Sequence, residues 1–464
     1  RLIVRGYSVD KSRVPKGGVA VFPGLVGTRP ATHLDCTNWL DMPIRIRRFL
    51  AKQYSDIELN KKEYLAKKGA RVLKGSLALI VVISVWPIAV ILVAISPFSQ
   101  TRFGFLFSDR IGHYVFDAGY QLAEAVKCQK RFGFGDFFFS KGPVCNEFLK
   151  SVIDRRVKQS ALSRYFFLAS FLVPFGKRIR VYPARIRNGS RDPEGLMKSS
   201  DQRFEFLPEE DRLGFDYLKR QGWSEGEPYA CLIVRDSAYL DSMKPDQAWD
   251  YHAYRDTNIE DYRQAMEGLV DRGYWIFRMG AQVSAKFGSS NPKIIDYVNT
   301  AEQCEALDVW LTANCQLCVS TSTGLDSIAD VYFRPTIFLN FLPLAYFQTW
   351  SNCVLAPSHL LWKDTGKALG CKDHLRHAYL REEDYDAAGI LVRPLSPREI
   401  TSVTLAAERR LVQRPAVRPL ISTDQKRFWE LYARYQNSVP RPQWINSDAE
   451  ISSEFLKFSP EFLD

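Results

Sequence analysis

The sequence lacks the short motifs that mark several large enzyme classes. It has no Walker loop ending in Gly-Lys-Ser/Thr and no Gly-x-Ser-x-Gly nucleophile elbow. Gly133-Phe-Gly135 lacks a third glycine at the required place, so the dinucleotide-binding fingerprint is absent. The six histidines do not have the spacing of metal ligands. None of these signatures therefore indicates what the chain does.

The cysteines also lack a pattern. There are nine, an odd number, and several lie inside apolar runs, as in Cys231-Leu-Ile-Val and Cys315-Gln-Leu-Cys318-Val. This placement is typical of reduced, buried thiols, so no disulfide framework is expected. The single Cys-x-x-Cys has no second pair and lies in a predicted strand, so a zinc site is not predicted.

Charge of one sign is concentrated at one end of the chain. The protein has 464 residues, is 46% hydrophobic and 25% charged, and has a mean hydropathy of −0.21. These values exclude a wholly disordered chain and a transporter with many spans. The net charge is +11, but residues 1–75 contain 16 Lys or Arg against 6 Asp or Glu, and the remainder contains 47 against 46. We therefore predict a basic arm, residues 1–74, on a nearly neutral body, and no nucleic-acid partner.

An apolar segment follows the basic arm. Residues 75–101 contain no charged side chain, and Leu77–Ile95 is almost wholly aliphatic apart from Trp86 and Pro87. About 20 apolar residues cross a bilayer core, so we predict a membrane-associated helix, with a buried core helix as the alternative. The preceding cations suit an anionic membrane surface. A second apolar run, Tyr165–Phe175, is too short to span and suits either an interfacial contact or the core.

The topology of the apolar segment is open at this stage. The helix either crosses the bilayer or turns back at Pro87. The positive-inside rule places the body outside the cell, whereas the reduced thiols favour a cytosolic body.

Strands and helices alternate between residues 229 and 341. Strands are predicted at Tyr229–Val234, Tyr274–Met279, Gln316–Ser320 and Thr336–Phe341, and a helix at Ile259–Arg272. Each strand is a continuous apolar run, which indicates a doubly wound parallel sheet covered on both faces. Five segments are therefore expected. The arm (1–74) and the membrane-associated segment (75–101) are followed by a first α/β domain (102–210) and a second α/β domain (211–400). C-terminal helices with a polar tail (401–464) complete the chain.

Ligands of such sheets bind beyond the carboxyl ends of the strands. Arg235-Asp236 follows the first predicted strand, and Arg278-Met-Gly280 closes the second. Arg235 and Arg278 are expected to converge on one crevice, where arginine could bind phosphate through two hydrogen bonds. The alternative for each arginine is a surface salt bridge.

The third predicted strand is followed by Thr-Ser322-Thr323-Gly324, which opens into a helix. Small hydroxyl residues and a glycine at a helix start are expected to expose free backbone N–H groups, which suits a phosphate. An ordinary Ser/Thr N-cap is the alternative. Arg255, in the run Tyr254-Arg255-Asp256, adds a basic and aromatic cluster of similar ambiguity.

Several of these segments occur together in one known group of proteins. They are Cys231-Leu-Ile-Val-Arg-Asp-Ser237, Tyr254-Arg-Asp256, Gly273–Gly280, Ser320–Gly324, Asp109-Arg-Ile-Gly-His113 and Ile451–Leu463. In combination they resemble a family of bacterial glycosyltransferases from surface-polysaccharide gene clusters, over roughly residues 103–464. The resemblance implies the GT-B design, in which two Rossmann-like domains enclose a cleft, and a fucosyltransferase-like branch is one form of it.

The resemblance also implies roles for particular residues. The second domain would hold a nucleotide-sugar donor as substrate, with no cofactor, and Arg235 would stabilise the departing diphosphate. Donor-side residues would be Arg235, Asp236, Arg255, Arg278, Gly280, Ser322, Thr323 and Gly324. The acceptor, a glycan or a lipid-linked sugar, would face Arg110, Gly112 and His113.

The sequence leaves the general base and the reaction class open. Asp109 and His113 are the first candidates for the base, and His252 and Asp236 are weaker ones. Asp384-Tyr-Asp386 spells the Asp-x-Asp of metal-dependent sugar transferases, but it lies in an acidic run that follows no apolar strand, so we predict a metal-independent enzyme.

The expected location is the bacterial inner membrane, with the body on the cytoplasmic side. A sugar-nucleotide epimerase of the GT-B fold and a non-catalytic membrane-tethered assembly protein are the alternatives. Nucleotide binding would exclude the assembly protein.

Overall fold

The structure is a computed structural model that describes residues 2–4, 7–9, 61–98, 101–128, 135–200, 203–235, 254–283, 285–348, 350–412, 421–439, 444–446 and 448–464. Most of the predicted basic arm lies outside the described residues, as do Asp236 and His252. The chain divides into two units, Arg1–Ile80 and Val81–Asp464.

The first unit contributes two short strands and the start of a long helix. Strands β1 (Leu2–Val4) and β2 (Tyr7–Val9) pair in antiparallel fashion. The helix Lys61–Ile95 begins in this unit and continues into the second, with Pro87 inside it. Within the part of the chain that the structure describes, its Lys68–Ile95 portion is the one helix long and apolar enough to cross a membrane, by length and composition.

The second unit is mixed α/β, as the sequence predicts. Its remaining strands are β3 (Thr101–Phe107), β4 (Gly135–Lys141), β5 (Tyr229–Ile233), β6 (Trp275–Arg278), β7 (Ile294–Ile295), β8 (Leu317–Ser320), β9 (Thr336–Leu339), β10 (Cys353–Ala356), β11 (His359–Trp362), β12 (Ile390–Arg393) and β13 (Ala449–Ile451). Its α-helices are Ile111–Cys128, Glu147–Asp154, Ser163–Ala169, Ala184–Arg187, Leu196–Ser200, Pro208–Arg220, Arg263–Val270, Glu305–Asn314, Asp326–Val331, Cys371–Arg376, Glu382–Ala387, Pro397–Val412, Thr423–Gln436 and Ser453–Phe458.

Seven strands form one parallel sheet in the order β13-β10-β9-β8-β5-β6-β7. The chain builds β5, β6 and β7 outward in one direction, then returns to place β8 on the other side of β5. The strand order therefore reverses between β5 and β8, and such a reversal opens a crevice at the carboxyl ends of the two strands. This confirms the predicted parallel sheet.

The two faces of this sheet are covered, which explains the continuous apolar runs. Along β5, Ala230 and Leu232 pack with helix Arg263–Val270 in one buried cluster. Cys231 and Ile233 point to the other face and pack with Trp310. Burial on both faces holds the strand ends, and the loops that follow them, in fixed positions.

The first predicted domain is smaller than a Rossmann-like domain. Among its described residues, β3 and β4 form a two-stranded parallel sheet that is joined by helix Ile111–Cys128. This is one β–α–β unit, and the structure joins it to the large sheet within the single unit Val81–Asp464. Of the two expected Rossmann-like domains, the first thus contains this one β–α–β unit among its described residues. Isolated parallel bridges pair Phe103 with Arg180 and Phe138 with Gln159, so a further backbone segment flanks each of the two strands.

The C-terminal region contains the expected helices, Pro397–Val412 and Thr423–Gln436, but its tail also has regular structure. The expected polar tail contains β13, which pairs with β10 at the edge of the large sheet, and the helix Ser453–Phe458. Helix Pro397–Val412 crosses the predicted boundary at residue 400. Only Ala449 and Ile451 of β13 are buried, so the strand carries no long apolar run that sequence analysis could detect.

Candidate functional site

The crevice between β5 and β8 brings together two of the predicted segments. Ile233 of β5 lies opposite Ser320 of β8 in the parallel register. Just beyond these residues, the Arg235 amide donates to Thr321 Oγ1 at 2.8 Å. The Thr321 amide donates in turn to the Ile233 carbonyl oxygen at 3.1 Å. The arginine predicted after the first strand therefore lies beside the Ser/Thr turn, as expected.

Two guanidinium groups stand next to each other at this point. Arg235 Nε donates to Asp256 Oδ1 at 3.2 Å, and Arg255 Nη2 donates to the Ser322 carbonyl oxygen. Burial, and then the positive charge of Arg235, lower the pKa of Arg255 to about 10. The Nε atom of Arg255 is buried and has no hydrogen-bond partner. The pair is therefore a half-buried site with one unused guanidinium donor.

Aromatic packing fixes the segment that carries Arg255. Tyr254 is buried, and its hydroxyl donates to the Tyr379 carbonyl oxygen at 3.3 Å. Its ring lies 5.1 Å, centre to centre, from that of Tyr385. Tyr385 is the middle residue of the Asp-x-Asp sequence, so this segment supports the arginine pair through packing.

The Ser/Thr turn differs from the prediction in one respect. The Ser322 amide donates to Ser320 Oγ at 3.1 Å, and the Thr323 amide donates to Asp326 Oδ2 at 2.8 Å. Ser322 has a φ of +62°, in the left-handed region. The expected free N–H groups of these two residues are thus used inside the turn, because the side chains of Ser320 and Asp326 cap it.

The Asp326 carboxyl is deeply buried in this turn. It accepts from Ser320 Oγ at 2.5 Å as well as from the Thr323 amide. Burial raises its pKa to about 7. The hydrogen bonds of these groups are therefore made inside the turn. Toward the crevice, the turn presents the Ser322 carbonyl oxygen, which positions Arg255.

Arg278 does not reach the crevice, which corrects a prediction. Its side chain is only 2% exposed, and Nη1 donates to the Ala285 carbonyl oxygen at 2.6 Å and to Asp296 Oδ1 at 3.3 Å. Gly280 lies in the loop that follows, with its carbonyl oxygen bonded to Gln303 Nε2 at 2.6 Å. Arg278 is the last residue of β6 and is enclosed by the sheet, so it stabilises the 285–296 loop.

The second group of predicted residues lies at the carboxyl end of β3. The Ser108 amide and hydroxyl donate to the carbonyl oxygens of Lys141 and Gly142, and the Cys145 amide donates to the Ser108 carbonyl at 2.8 Å. These bonds tie the loop after β3 to the loop after β4. Asp109 is held there, just before helix Ile111–Cys128 begins.

Asp109 and His113 differ as proton acceptors. Asp109 Oδ1 is buried and has no hydrogen-bond partner. Burial, followed by the positive charges of Arg185 and Arg110, lowers the pKa of His113 to about 4, against the opposing effect of Asp109. His113 is therefore neutral at pH 7 and a weak base. Arg110 is exposed at the start of the same helix.

The two groups meet through two glycines. A Cβ on Gly112 would lie 2.9 Å from both the Cα and the carbonyl oxygen of Gly324, and 3.2 Å from Ser327 Oγ. Helix Ile111–Cys128 therefore approaches the Ser/Thr turn more closely than any side chain allows. The sequence placed these glycines on opposite sides of a cleft, whereas the structure places them in direct contact.

Sequence analysis missed two carboxylates near this site. Asp256 was part of a noted run, but its ion pair with Arg235 follows only from the fold. Asp117 lies one turn beyond His113, is fully buried, and accepts from the Arg185 amide at 3.2 Å, while its Oδ2 has no partner. Burial raises the pKa of Asp117 to about 7. An acidic residue on an apolar helix face is the signal that could have marked it.

The Asp-x-Asp sequence, the candidate metal ligands and the cysteines do not form a further site in the described residues. Asp386 pairs with Lys363 Nζ at 2.7 Å at the surface. In the described part of the chain, no group of three or more His, Cys, Asp or Glu side chains is arranged to hold a metal ion. Cys145, Cys231, Cys304, Cys315, Cys318, Cys353 and Cys371 are free thiols, and five of these seven are buried.

No protein-family model matches the chain, and no curated protein matches it. Among solved structures, the chain is similar to a glycosyl transferase family 9 protein from Veillonella parvula DSM 2008, with 9% identity, coverage of 56% of this chain and 87% of that chain, and a TM-score of 0.35. It is also similar to the ADP-heptose lipopolysaccharide heptosyltransferase II of E. coli, with 10% identity, coverage of 55% and 90%, and a TM-score of 0.34. The third is the dodecameric iron-containing heptosyltransferase TibC, in complex with ADP-D-β-D-heptose, with 12% identity, coverage of 68% and 78%, and a TM-score of 0.34. At these identities and TM-scores, the three proteins establish neither the fold nor the activity of this chain.

Proposed function

We propose that this protein is a membrane-associated glycosyltransferase, which moves a sugar from a nucleotide-sugar donor to a glycan or a lipid-linked acceptor in surface-polysaccharide synthesis. The observation that carries the proposal is the adjacent guanidinium pair, Arg235 and Arg255, at the reversal point of a parallel sheet. A half-buried pair of guanidinium groups with an unused donor gains most from an anion with several oxygens. A nucleoside diphosphate is such an anion.

In this proposal the two arginines act on the leaving group. The bond between the sugar and the diphosphate breaks, and negative charge develops on the diphosphate oxygens. Arg235 and Arg255 are held before the reaction by Asp256, Thr321 and the Ser322 carbonyl, so they stabilise that charge without reorganising. Removal of one such preorganised donor typically costs about 10²–10³ in rate.

Asp109 is the proposed general base. The acceptor hydroxyl needs to lose a proton as it attacks the sugar, and Asp109 Oδ1 has no hydrogen-bond partner that competes for that proton. His113, with its pKa lowered to about 4, is the poorer acceptor and would serve to orient the acceptor as a neutral imidazole. Because Gly112 adjoins Gly324, the base and the arginine pair belong to neighbouring loops.

The test begins with thermal unfolding of the purified chain in the presence of nucleoside diphosphates and nucleotide sugars. A ligand at about 100 times its Kd adds roughly 2.7 kcal/mol to the stability, so binding shifts Tm by several degrees. Arg235→Ala should lose this shift and the transfer activity, while its far-ultraviolet circular dichroism stays that of the wild type. If none of the nucleotides changes Tm, the proposal is wrong and an assembly role is favoured.

A further inference from the structure

Helix Ser163–Ala169 and the turn that follows it expose an unusual amount of apolar surface. Phe171 is 54% exposed, Leu172 is 56% exposed and Phe175 is 67% exposed. Leu162 and Leu168 are exposed beside them. Single exposed apolar residues need no explanation, but a contiguous group marks an interaction surface. We call residues 162–180 the apolar turn.

Part of the backbone of the apolar turn is hydrogen-bonded within the protein. The amides of Ser170, Phe171, Leu172 and Gly176 donate to carbonyl oxygens within the turn at 2.9–3.1 Å. The Leu172 carbonyl oxygen accepts from Trp86 Nε1 at 3.2 Å. In a lipid environment, backbone N–H and C=O groups need hydrogen-bond partners within the protein, and these bonds supply some of them.

Phe175 occupies an unusual conformation that keeps its ring outward. Its φ is +58°, in the left-handed region that bulky side chains rarely adopt. Gly176 follows, and a Cβ on it would overlap the Ser170 carbonyl oxygen at 1.8 Å. The tight turn therefore holds Phe175, the most exposed phenylalanine of the segment, away from the core at some cost in backbone strain.

The charge around the apolar turn has one sign. Residues 155–191 contain ten Lys or Arg and no Asp or Glu. Arg180 lies 4.0 Å from the centre of the Phe171 ring, and Arg178 lies 5.2 Å from that of Phe175. In the described part of the chain, no carboxylate pairs with Lys177, Arg178 or Arg180. The apolar tip is thus bordered by cations, although the body as a whole is nearly neutral.

The apolar turn is continuous with the apolar helix. Val82, Ala89 and Val93 pack in one buried cluster with Ala169 and Val173. On its other sides this part of the helix exposes Ile83, Ile88 and Ile91. The carboxyl half of the helix and the turn therefore form a single apolar wedge.

We propose that the apolar turn inserts into one leaflet of an anionic membrane, with Phe171, Leu172 and Phe175 in the acyl region and Lys177, Arg178 and Arg180 at the headgroups. The occupant of this surface is a bilayer because apolar rings bordered by cations match the acyl chains and anionic headgroups of one leaflet. The body is thereby held against the membrane at two elements, the helix and the turn. The inference rests on the proposed membrane location and is independent of sugar transfer.

The experiment uses the full chain reconstituted in phosphatidylcholine vesicles with phosphatidylglycerol, plus a photoactivatable phospholipid. After illumination, mass spectrometry should find lipid adducts in residues 162–180 as well as in the helix. Labelling of the helix alone would overturn the proposal. A detergent-solubilised dimer that Phe171→Glu/Phe175→Glu converts to monomer would also overturn it, because a second copy would then cover the turn.

Two pairs of variants sharpen the test. Phe171→Glu/Phe175→Glu should lower adducts in the turn roughly tenfold or more while leaving those in the helix, because two large rings no longer enter the acyl region. Leu391→Glu/Ile421→Glu, two exposed apolar residues elsewhere, is the control and should leave labelling unchanged. Equal labelling of the two variants would contradict the proposal.

Lys177→Glu/Arg178→Glu should remove the preference for phosphatidylglycerol over phosphatidylcholine vesicles, unlike Lys219→Glu/Lys426→Glu at exposed sites. A retained preference would contradict the role of these cations. Nucleotide-induced shifts in Tm, measured on the same samples, report on the proposed function separately.

Discussion

The loops after β5 and after β3 have similar positions but opposite chemistry. Each lies at the carboxyl end of a parallel strand, and Gly112 and Gly324 bring the two regions into contact. The β5 side has two guanidinium groups fixed by hydrogen bonds, with one donor unused. The β3 side has a carboxylate oxygen without a partner and a neutral imidazole. One side thus presents guanidinium groups and the other an unpartnered carboxylate oxygen, which matches the roles proposed for them.

The largest effect is expected on the side that holds charge. Arg255→Ala should lower kcat by about 10²–10³ and raise the KM for the donor, because a half-buried cation is lost from the proposed diphosphate site. Steady-state kinetics with the donor that stabilises the protein provides the measurement. Arg220→Ala, which removes an exposed arginine paired with Glu302, is the matched control and should behave like the wild type. Wild-type kinetics in Arg255→Ala would contradict the proposed role of the β5 loop in binding the diphosphate.

A smaller effect is expected on the side that accepts a proton. Asp109→Asn should lower kcat about 10²-fold with the donor KM unchanged, because a general base acts in the transition state and leaves donor binding alone. Asp386→Asn serves as the control, since that carboxylate pairs with Lys363 at the surface. An unchanged kcat in Asp109→Asn would point to another base, and a loss of activity in Asp386→Asn would contradict metal independence.

The contact between the two sides can be tested directly. Gly112→Ala places a methyl group 2.9 Å from the Gly324 backbone, where no flexible side chain can yield, and should cost about 1–3 kcal/mol. Denaturant unfolding measures this loss. Gly75→Ala, at a helical glycine with open space around it, should be neutral or slightly stabilising. If the two variants are equally stable, the loops do not meet as described.

The smallest effect concerns Asp117, behind the proton-accepting side. Its pKa is raised to about 7, so its contribution to stability is present below the ordinary carboxyl pKa and is lost as pH rises through about 7. Asp117→Asn should therefore be more stable than the wild type at pH 8, by on the order of 1 kcal/mol, and similar at pH 4. Thermal unfolding at the two pH values decides it. A greater advantage at pH 4 would contradict the burial of a neutral carboxyl.

The sequence predicted the parts of this arrangement that depend on local patterns. Continuous apolar runs located β5, β6, β8 and β9, and the rule for parallel sheets placed Arg235 beside the Ser/Thr turn. Arg278 was misplaced because a strand-end arginine has the same local pattern whether it faces a crevice or an internal loop. Its partner Asp296 comes from a different loop, and only the fold brings the two together.

Distant partners also explain the other errors. The caps of the Ser/Thr turn depend on how Asp326 points back toward Ser320, which spacing alone does not give. Strand β13 has three residues, of which two are apolar, so its edge position is set by pairing with β10 and not by its own pattern. The close approach of Gly112 to Gly324 joins residues far apart in the chain. Because glycine has no side chain, the sequence gives no signal that predicts this contact.

Strand β13 has a consequence for biosynthesis. Because chains are made from the amino end, the apolar helix Lys61–Ile95 leaves the ribosome long before Ala449–Ile451. Until then, the Cys353–Ala356 strand has an unpaired edge, which is a template for association with other chains. If the proposed membrane location holds, the nascent protein is anchored at a bilayer while its sheet is still incomplete, and anchoring keeps the open strand edges of neighbouring nascent chains apart.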